Sequence, residues 1–413
     1  MADSQSQITA IDQTLRLVSS AGQNYLELIK KDAGHNSRGN AEELSEAKEV
    51  LLEQLSQLTR SVAGPFGMVY KHGENTAHTG AVRALYEMGV FNALPEDGES
   101  MTAVELAKRL KVDKDLLVRL MRIATALGPF KELGPEEYAH TEYSKIYLKP
   151  ETRGVFKLLT DEHAIAELKF WEFFRENGWK NPVSATNNPY TFANQTGGKD
   201  IWTFMLGHPE KMQNLNDGMG SHSQSSAWTI EIYPFASELS KINTTDDTIL
   251  FVDIGGGKGH VTRHVRQLCP NIRGKMVFTD TDPVLSSVTE TMTGVEKMTY
   301  DFFGGKPPVE GALIYYLRRV LHDWPDEATV QILKNVAAGM DASKSRLVIC
   351  DIVIPLVGAN AEACWTDLAM MTFSGTERTV GQFEKLLAAA GLRLDRVYTA
   401  HGTNYGAIEA RLL

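Results

Sequence analysis

A histidine and an aspartate stand side by side in the run RRVLHDWPDE, residues 318–327. Pro325, Asp326 and Glu327 have the character of a helix first turn, where proline's missing N–H is no loss and acids meet the positive end of the helix dipole. The apolar run GALIYYL before it, residues 311–317, reads as a strand. His322 and Asp323 therefore fall at a strand-to-helix crossing, on the edge of an α/β sheet where ligands bind. An imidazole of pKa about 6.5 can take the proton of a phenol of pKa about 10, an aid worth about 10²–10⁴-fold. Such a base needs an acceptor on its second nitrogen. Asp351, near the end of RLVICDIVIP, and Glu377, in GTERT, are candidates for that role.

A base needs a reaction partner, and a second motif supplies a place for one. The stretch LFVDIGGGKGH, residues 250–260, runs from an apolar strand into an acid, Asp253, and then through Gly255, Gly256, Gly257 and Gly259. The helix that follows, HVTRHVRQLC, keeps Val261, Val265 and Leu268 on one face. Glycines here let the backbone approach a ligand, and the helix start offers free N–H groups. The spacing D-x-G-x-G-x-G differs from the dinucleotide pattern G-x-G-x-x-G. Asp253 would repel a pyrophosphate but suits a ligand bearing an ammonium or a sulfonium, and S-adenosylmethionine has both.

The remaining elements must position these two motifs. KMVFTD forms a second strand ending in Asp280, one strand-helix-strand unit beyond Asp253, where ribose hydroxyls are usually held. MTYDFFG sets Asp301 at the end of a short third element. RLDRVYTA and YGAIEARL read as two terminal strands joined by a tight loop, which puts an antiparallel strand into a parallel sheet. Thr379 and Gln382 form a capping box for the helix that Gly391 ends.

Upstream the text is helical. Residues 8–31 and 41–60 read as two amphipathic helices, the second carrying Leu44, Leu51, Leu55 and Leu58 on one face. From His78 to Leu148, three helices and a hairpin describe a winged-helix unit. Its DNA-binding meaning is opposed by a formal net charge of -10, which also argues against anionic membrane. Residues 155–235 are rich in large aromatic and methionine side chains. Most of these are core, although such residues also line pockets for flat apolar ligands. A length of 413 residues implies two domains, divided here as 1–235 and 236–413. Three unpatterned cysteines, the absence of a visible secretory signal and the absence of a spanning apolar run point to a cytoplasmic protein without a metal centre.

Taken together, these motifs resemble the SAM-dependent O-methyltransferases of the plant caffeate/flavonoid type, in the fungal secondary-metabolite branch. The carriers are VDIGGGKGH, the TD ending at Asp280, YDFF at Asp301, LRRVLHDWPDE, ICDIVIP, GTERT and GMGSHS, spread over residues 75 to 410. The resemblance implies a Rossmann-like class I methyltransferase domain, with a mostly parallel seven-stranded sheet and an antiparallel C-terminal hairpin. It adds an all-α N-terminal domain containing a winged-helix dimerisation unit, and hence a homodimer acting on a small-molecule acceptor. It makes His322 the general base, with Asp323 beside it and Asp351 and Glu377 holding it. Asp253, Gly255, Gly257, Asp280, Asp301, Phe302, Arg318 and Trp324 are the implied cofactor contacts. Leu215, Met219, His222, Met370 and Phe373 are the implied acceptor contacts. The cofactor would be S-adenosyl-L-methionine, released as S-adenosyl-L-homocysteine.

Three positions depart from the family pattern. Arg318 replaces its lysine, Thr281-Asp282 replaces Leu-Pro so that Asp282 competes with Asp280 for the ribose, and Leu215 stands where an aromatic is common. Some fungal relatives keep SAM yet catalyse pericyclic ring closures on polyketide-type metabolites without methyl transfer. That is the alternative activity.

Overall fold

A computed structural model describes residues 2–32, 38–225, 227–400 and 403–413. The chain folds into two compact units that interleave in sequence. One comprises Met1–Ala21, Leu52–Ala164 and Met205–His222; the other comprises Gly22–Leu51, Ile165–Phe204 and Ser223–Leu413. A single cut at residue 235 therefore does not describe them. The reason lies in long-range bonds that tie residues 165–204 to the second unit. Tyr190 N–H donates to Thr372 O at 2.7 Å, and Ser374 Oγ donates to Ser184 O at 2.8 Å.

The N-terminal helices are Ala2–Asp32 and Arg38–Glu87. The second runs well past residue 60 and absorbs the helix expected from His78. It breaks at Gly64 (φ 68°) and resumes at once through Pro65, whose missing N–H falls where the helical ladder is already interrupted. In the first unit, strands β1 (Met101–Thr102), β2 (Lys131–Gly134) and β3 (Glu137–Ala139) form an antiparallel sheet in the order β1-β3-β2. Helix Ala103–Leu110 is started by a capping box between Thr102 and Glu105, and helix Lys114–Ala126 by Asp113. Their apolar faces meet over Leu85, Phe91, Leu106, Leu117, Met121, Phe130 and Tyr138. This is the expected winged-helix unit.

The second unit is built on seven strands: β4 (Ile249–Ile254), β5 (Lys275–Asp280), β6 (Val295–Thr299), β7 (Ile314–Arg318), β8 (Arg346–Ile352), β9 (Leu392–Thr399) and β10 (Tyr405–Leu412). Their order is β6-β5-β4-β7-β8-β10-β9. The pairings from β6 to β8 are parallel, and β10 lies antiparallel between β8 and β9. Both sheet faces are covered, which is why the central strands are apolar without alternation. In β7, Tyr315 and Leu317 pack with Ile332, Val336 and Phe383 on one face, while Ile314 and Tyr316 pack with Phe251 and Val265 on the other. Strand order reverses between β4 and β7, so the loops after these two strands flank a topological switch point. No described helix is long and apolar enough to cross a membrane.

Candidate active site

The loop after β4 turns through Gly255 (φ 68°) and Gly257 (φ 56°), left-handed conformations that a side chain would strain. A Cβ on Gly255 would come within 3.0 Å of Val320 Cγ2, so the glycine turn lies directly against the segment leading to His322. A Cβ on Gly257 would meet nothing within 4 Å, and its N–H donates to Asp280 Oδ2 at 2.9 Å. Asp280 Oδ1 accepts from Thr281 N–H at 2.7 Å. Thr281 Oγ1 adds a bond to the same oxygen at 3.4 Å, and a carboxylate has lone pairs beyond these three, so Asp280 retains capacity for a diol beside the turn. Burial raises its pKa. Asp282, by contrast, is exposed and accepts from Thr299 Oγ1 at 3.1 Å.

Asp253 lies near the end of β4, just before the glycine turn. It is 2% exposed, and Oδ2 accepts from Thr262 Oγ1 at 2.9 Å. Burial pushes its pKa up to about 7, against the hydrogen bond from Thr262 and the nearby charge of Arg318. The carboxylate braces the glycine turn from behind, tying strand end to helix start. Arg318, also buried, donates from Nη2 to Thr229 Oγ1 at 3.0 Å.

An aromatic wall adjoins the turn. Trp324 meets Phe303 at 4.8 Å between ring centroids and Phe302 at 6.0 Å, both edge to face. Trp202 extends the wall, lying 6.2 Å from Trp324 and 6.0 Å from Phe373. Asp301 is exposed; its Oδ1 accepts from Phe303 N–H at 2.9 Å, shaping the turn that presents both phenylalanines. Met370 is half-buried at the end of helix Ala361–Met371. Leu215 is half-buried on helix Pro209–Ser225 of the other unit. Met219 and His222 belong to that helix, and their side chains lie outside the described residues.

His322 sits in a short 3-10 turn, Leu321–Asp323, and is 4% exposed. Its Nδ1 donates to Glu377 Oε1 at 2.7 Å, and its Nε2 lies 3.4 Å from Asp323 Oδ1. Burial works against the imidazolium, but the carboxylates of Glu377 and Asp323 outweigh it and raise the pKa to about 9. Asp351, expected to share the task of holding the ring, instead accepts the Arg319 backbone N–H on Oδ1 at 2.7 Å. Burial lifts its pKa to about 7, with His322 opposing that rise through space. Its bond goes to the backbone rather than to the ring, and its effect on His322 is through space. Asp351 Oδ2, Glu377 Oε2 and Arg319 Nη1 are buried and bond to no protein group.

Three contributors escaped the sequence reading. Arg319 has a left-handed backbone (φ 55°), uncommon for a side-chain-bearing residue, and it brings a cation into this acid cluster. Asp367 accepts the Glu377 backbone N–H at 2.8 Å, steadying the acid that holds the His322 ring. Trp202 was one aromatic among many in its stretch. No local signal separates it from core residues such as Tyr190 and Phe173, whereas Trp171 and Trp179 prove to be exposed.

The residues present suit a nucleoside sulfonium. The glycine turn leaves room beside Gly257, Asp280 offers a carboxylate to a diol, and Phe302 and Trp324 offer faces and edges to a purine. Comparison with known proteins agrees with that chemistry. A family model described as the O-methyltransferase domain matches residues 178–393, and one described as the O-methyltransferase dimerisation domain matches residues 71–150. The O-methyltransferase afvC of Aspergillus flavus is 40% identical over 397 residues, covering 96% of this chain and 95% of that protein. The crystal structure of OxaC in complex with SAH and oxaline aligns with a TM-score of 0.86 at 34% identity, covering 98% of this chain and 100% of that one. A structure described as a pericyclic reaction enzyme aligns at 0.80 with 26% identity, covering 97% and 100%.

Proposed function

The chain belongs to the S-adenosylmethionine-dependent O-methyltransferases, and from that premise we propose that it methylates a hydroxyl of an aromatic or enolic secondary metabolite with His322 as general base. The observation that carries this reading is the buried His322–Glu377 pair at 2.7 Å, set in a turn that touches the glycine loop. When bound, S-adenosylmethionine supplies an electrophilic methyl group. Gly255 and Gly257 would admit it, Asp280 would take the ribose hydroxyls, and Phe302, Trp324, Arg318 and Asp301 would hold the rest of the nucleoside. Asp253 holds the turn in shape.

Glu377 keeps the Nδ1 hydrogen in place, which leaves Nε2 as the nitrogen that accepts the proton of the acceptor hydroxyl. The acids around the ring do more than orient it. By lifting its basicity toward that of a phenol they bring donor and acceptor closer in proton affinity, at the expense of the neutral fraction near pH 7. Apolar walls from Met370, Phe373 and Trp202 select a flat acceptor and exclude water. Alignment of the reacting oxygen supplies much of the remaining rate. The match to the dimerisation domain over residues 71–150 supports a homodimer.

His322→Ala is expected to retain affinity for S-adenosylhomocysteine within about twofold while losing about 10²–10⁴-fold in kcat. Turnover assayed with methyl-labelled cofactor and the acceptor, alongside calorimetry, checks both. Undiminished turnover rejects the base.

One observation favours a second reading, the likeness to a pericyclic reaction enzyme. It would keep the cofactor as a fixed charge and form no S-adenosylhomocysteine. The intact His322-Asp323-Trp324 run favours methyl transfer. Mass spectrometry for S-adenosylhomocysteine after turnover decides between them.

A further inference from the structure

The turn that carries His322 is gripped by more than Glu377. Residues 375–378 pass along it as an extended strip whose Arg378 forms an isolated parallel bridge with Val353, and Arg378 O accepts from Ile354 N–H at 3.0 Å. The strip is thereby fixed to the end of β8. From there, Thr376 N–H donates to His322 O at 2.8 Å. Gly375 packs so closely that a Cβ would lie 2.3 Å from His322 O, and backbone cannot yield to that.

Arg378 completes the grip. It is 1% exposed, among the largest fully buried side chains of the protein. Nη1 donates to Leu321 O at 2.8 Å and Nη2 to Trp324 O at 2.7 Å. These two carbonyls bracket the His322-Asp323 pair. The remaining donors reach Asp326 Oδ1 from Nε at 3.0 Å and from Nη2 at 2.9 Å, with further bonds to Thr329 Oγ1 and Thr376 O. Only a rigid, planar fork can span two carbonyls and a carboxylate at once, which is how arginine differs from lysine. A buried cation is costly, and its single carboxylate partner, Asp326, is 65% exposed and so contributes modestly. The bonds that distinguish this site are the carbonyl bonds.

We infer that Arg378 is a positioning residue for the reaction, its guanidinium clamping Leu321 and Trp324 so that His322 stays in register with Glu377. The inference rests on His322 being the base. Glu377 and Arg378 are adjacent in an extended strip, so their side chains leave on opposite sides; one holds the ring and the other holds the backbone behind it. The groups facing the ring are Asp323 on its own turn, Arg319 before it, Asp351 from β8 and Glu377 from the strip, with Asp367 behind Glu377. If the turn drifts, the Glu377 contact lengthens first and the imidazolium loses its strongest support. The acidic limb of the rate profile then moves toward lower pH as the maximal rate falls.

Arg378→Lys keeps the charge but not the fork. It should lower kcat about 10- to 100-fold, since misplacement of about 1 Å costs that much. Because the clamp also holds Trp324, the dissociation constant for S-adenosylhomocysteine should rise, but by far less than kcat falls, and the acidic limb of kcat/KM should shift down by at least half a pH unit. Asp326→Asn, a surface change that leaves the fold intact, should move the limb in the same direction by less. Loss of S-adenosylhomocysteine binding together with activity in Arg378→Lys, with an unmoved limb in Asp326→Asn, overturns the inference, as does wild-type kcat in Arg378→Lys. Wild-type turnover by His322→Ala would instead overturn the assignment of the base.

Discussion

The two halves of the site are made by opposite means. The glycine turn after β4 is short-range: Asp253, Gly255, Gly257 and Thr262 lie within ten residues, and Thr279 and Asp280 join them from the next strand. The base cluster after β7 is long-range. His322 meets Glu377 across 55 residues of sequence, Arg319 meets Asp351 across 32, and Arg378 meets Leu321 across 57. On the proposed reading, the difference means that binding the cofactor and activating the acceptor rest on largely separable sets of interactions. Changes at the turn should act on affinity, and changes in the cluster should act on rate.

The largest effect that tests this division is Glu377→Gln. Without a carboxylate on Nδ1 the ring loses its orienting acceptor, and kcat should fall about 10²–10³-fold while cofactor affinity holds. Stopped-turnover assays beside calorimetry check it, and a parallel loss of affinity would break the division. Asp280→Asn is the reciprocal test. Its loss should weaken S-adenosylhomocysteine binding about tenfold, or about 1.4 kcal/mol, with kcat at saturation changed less than threefold.

The pH profile sharpens the comparison next. His322 must be neutral to accept a proton, and its pKa is raised to about 9, so kcat/KM should climb with pH through the neutral range and level off only near 9. A limb centred near 6.5 would mean that the carboxylates fail to support the imidazolium. Stability should run the other way. The raised pKa contributes fully below about pH 6.5 and is lost as pH rises toward 9, and the raised pKa of Asp351 adds a loss of the same sign up to about 7. Melting temperature should therefore fall across that interval. The smallest effect is expected from Asp282→Asn, which removes an exposed charge while leaving an amide oxygen to accept from Thr299. Cofactor affinity should change less than twofold, and a tenfold loss would transfer the ribose role from Asp280 to Asp282.

Much of this arrangement is legible in the sequence where its physics is local. Capping at Thr379, the glycine spacing, the apolar strands and the terminal hairpin are each set by residues a few positions apart, and each appears in the folded chain. The helix expected to end near residue 60 did not, because a Gly-Pro pair can kink a helix without ending it. Trp202 and Asp367 were silent, since an aromatic in an aromatic-rich stretch and an acid in a helix look ordinary until something packs on them.

The sequence alone determined the class of fold and the glycine turn and singled out His322 as the candidate base, because strand periodicity, turn chemistry and helix starts depend on neighbours along the chain. Tertiary structure decided how the acids divide their labour: Glu377 on the ring, Asp351 on the Arg319 backbone, Asp253 behind the turn and Arg378 behind the base. Several carboxylates with similar sequence surroundings could each have held the imidazole. Which one does is fixed by distances of a few tenths of an ångström across strands that only the closed sheet brings together.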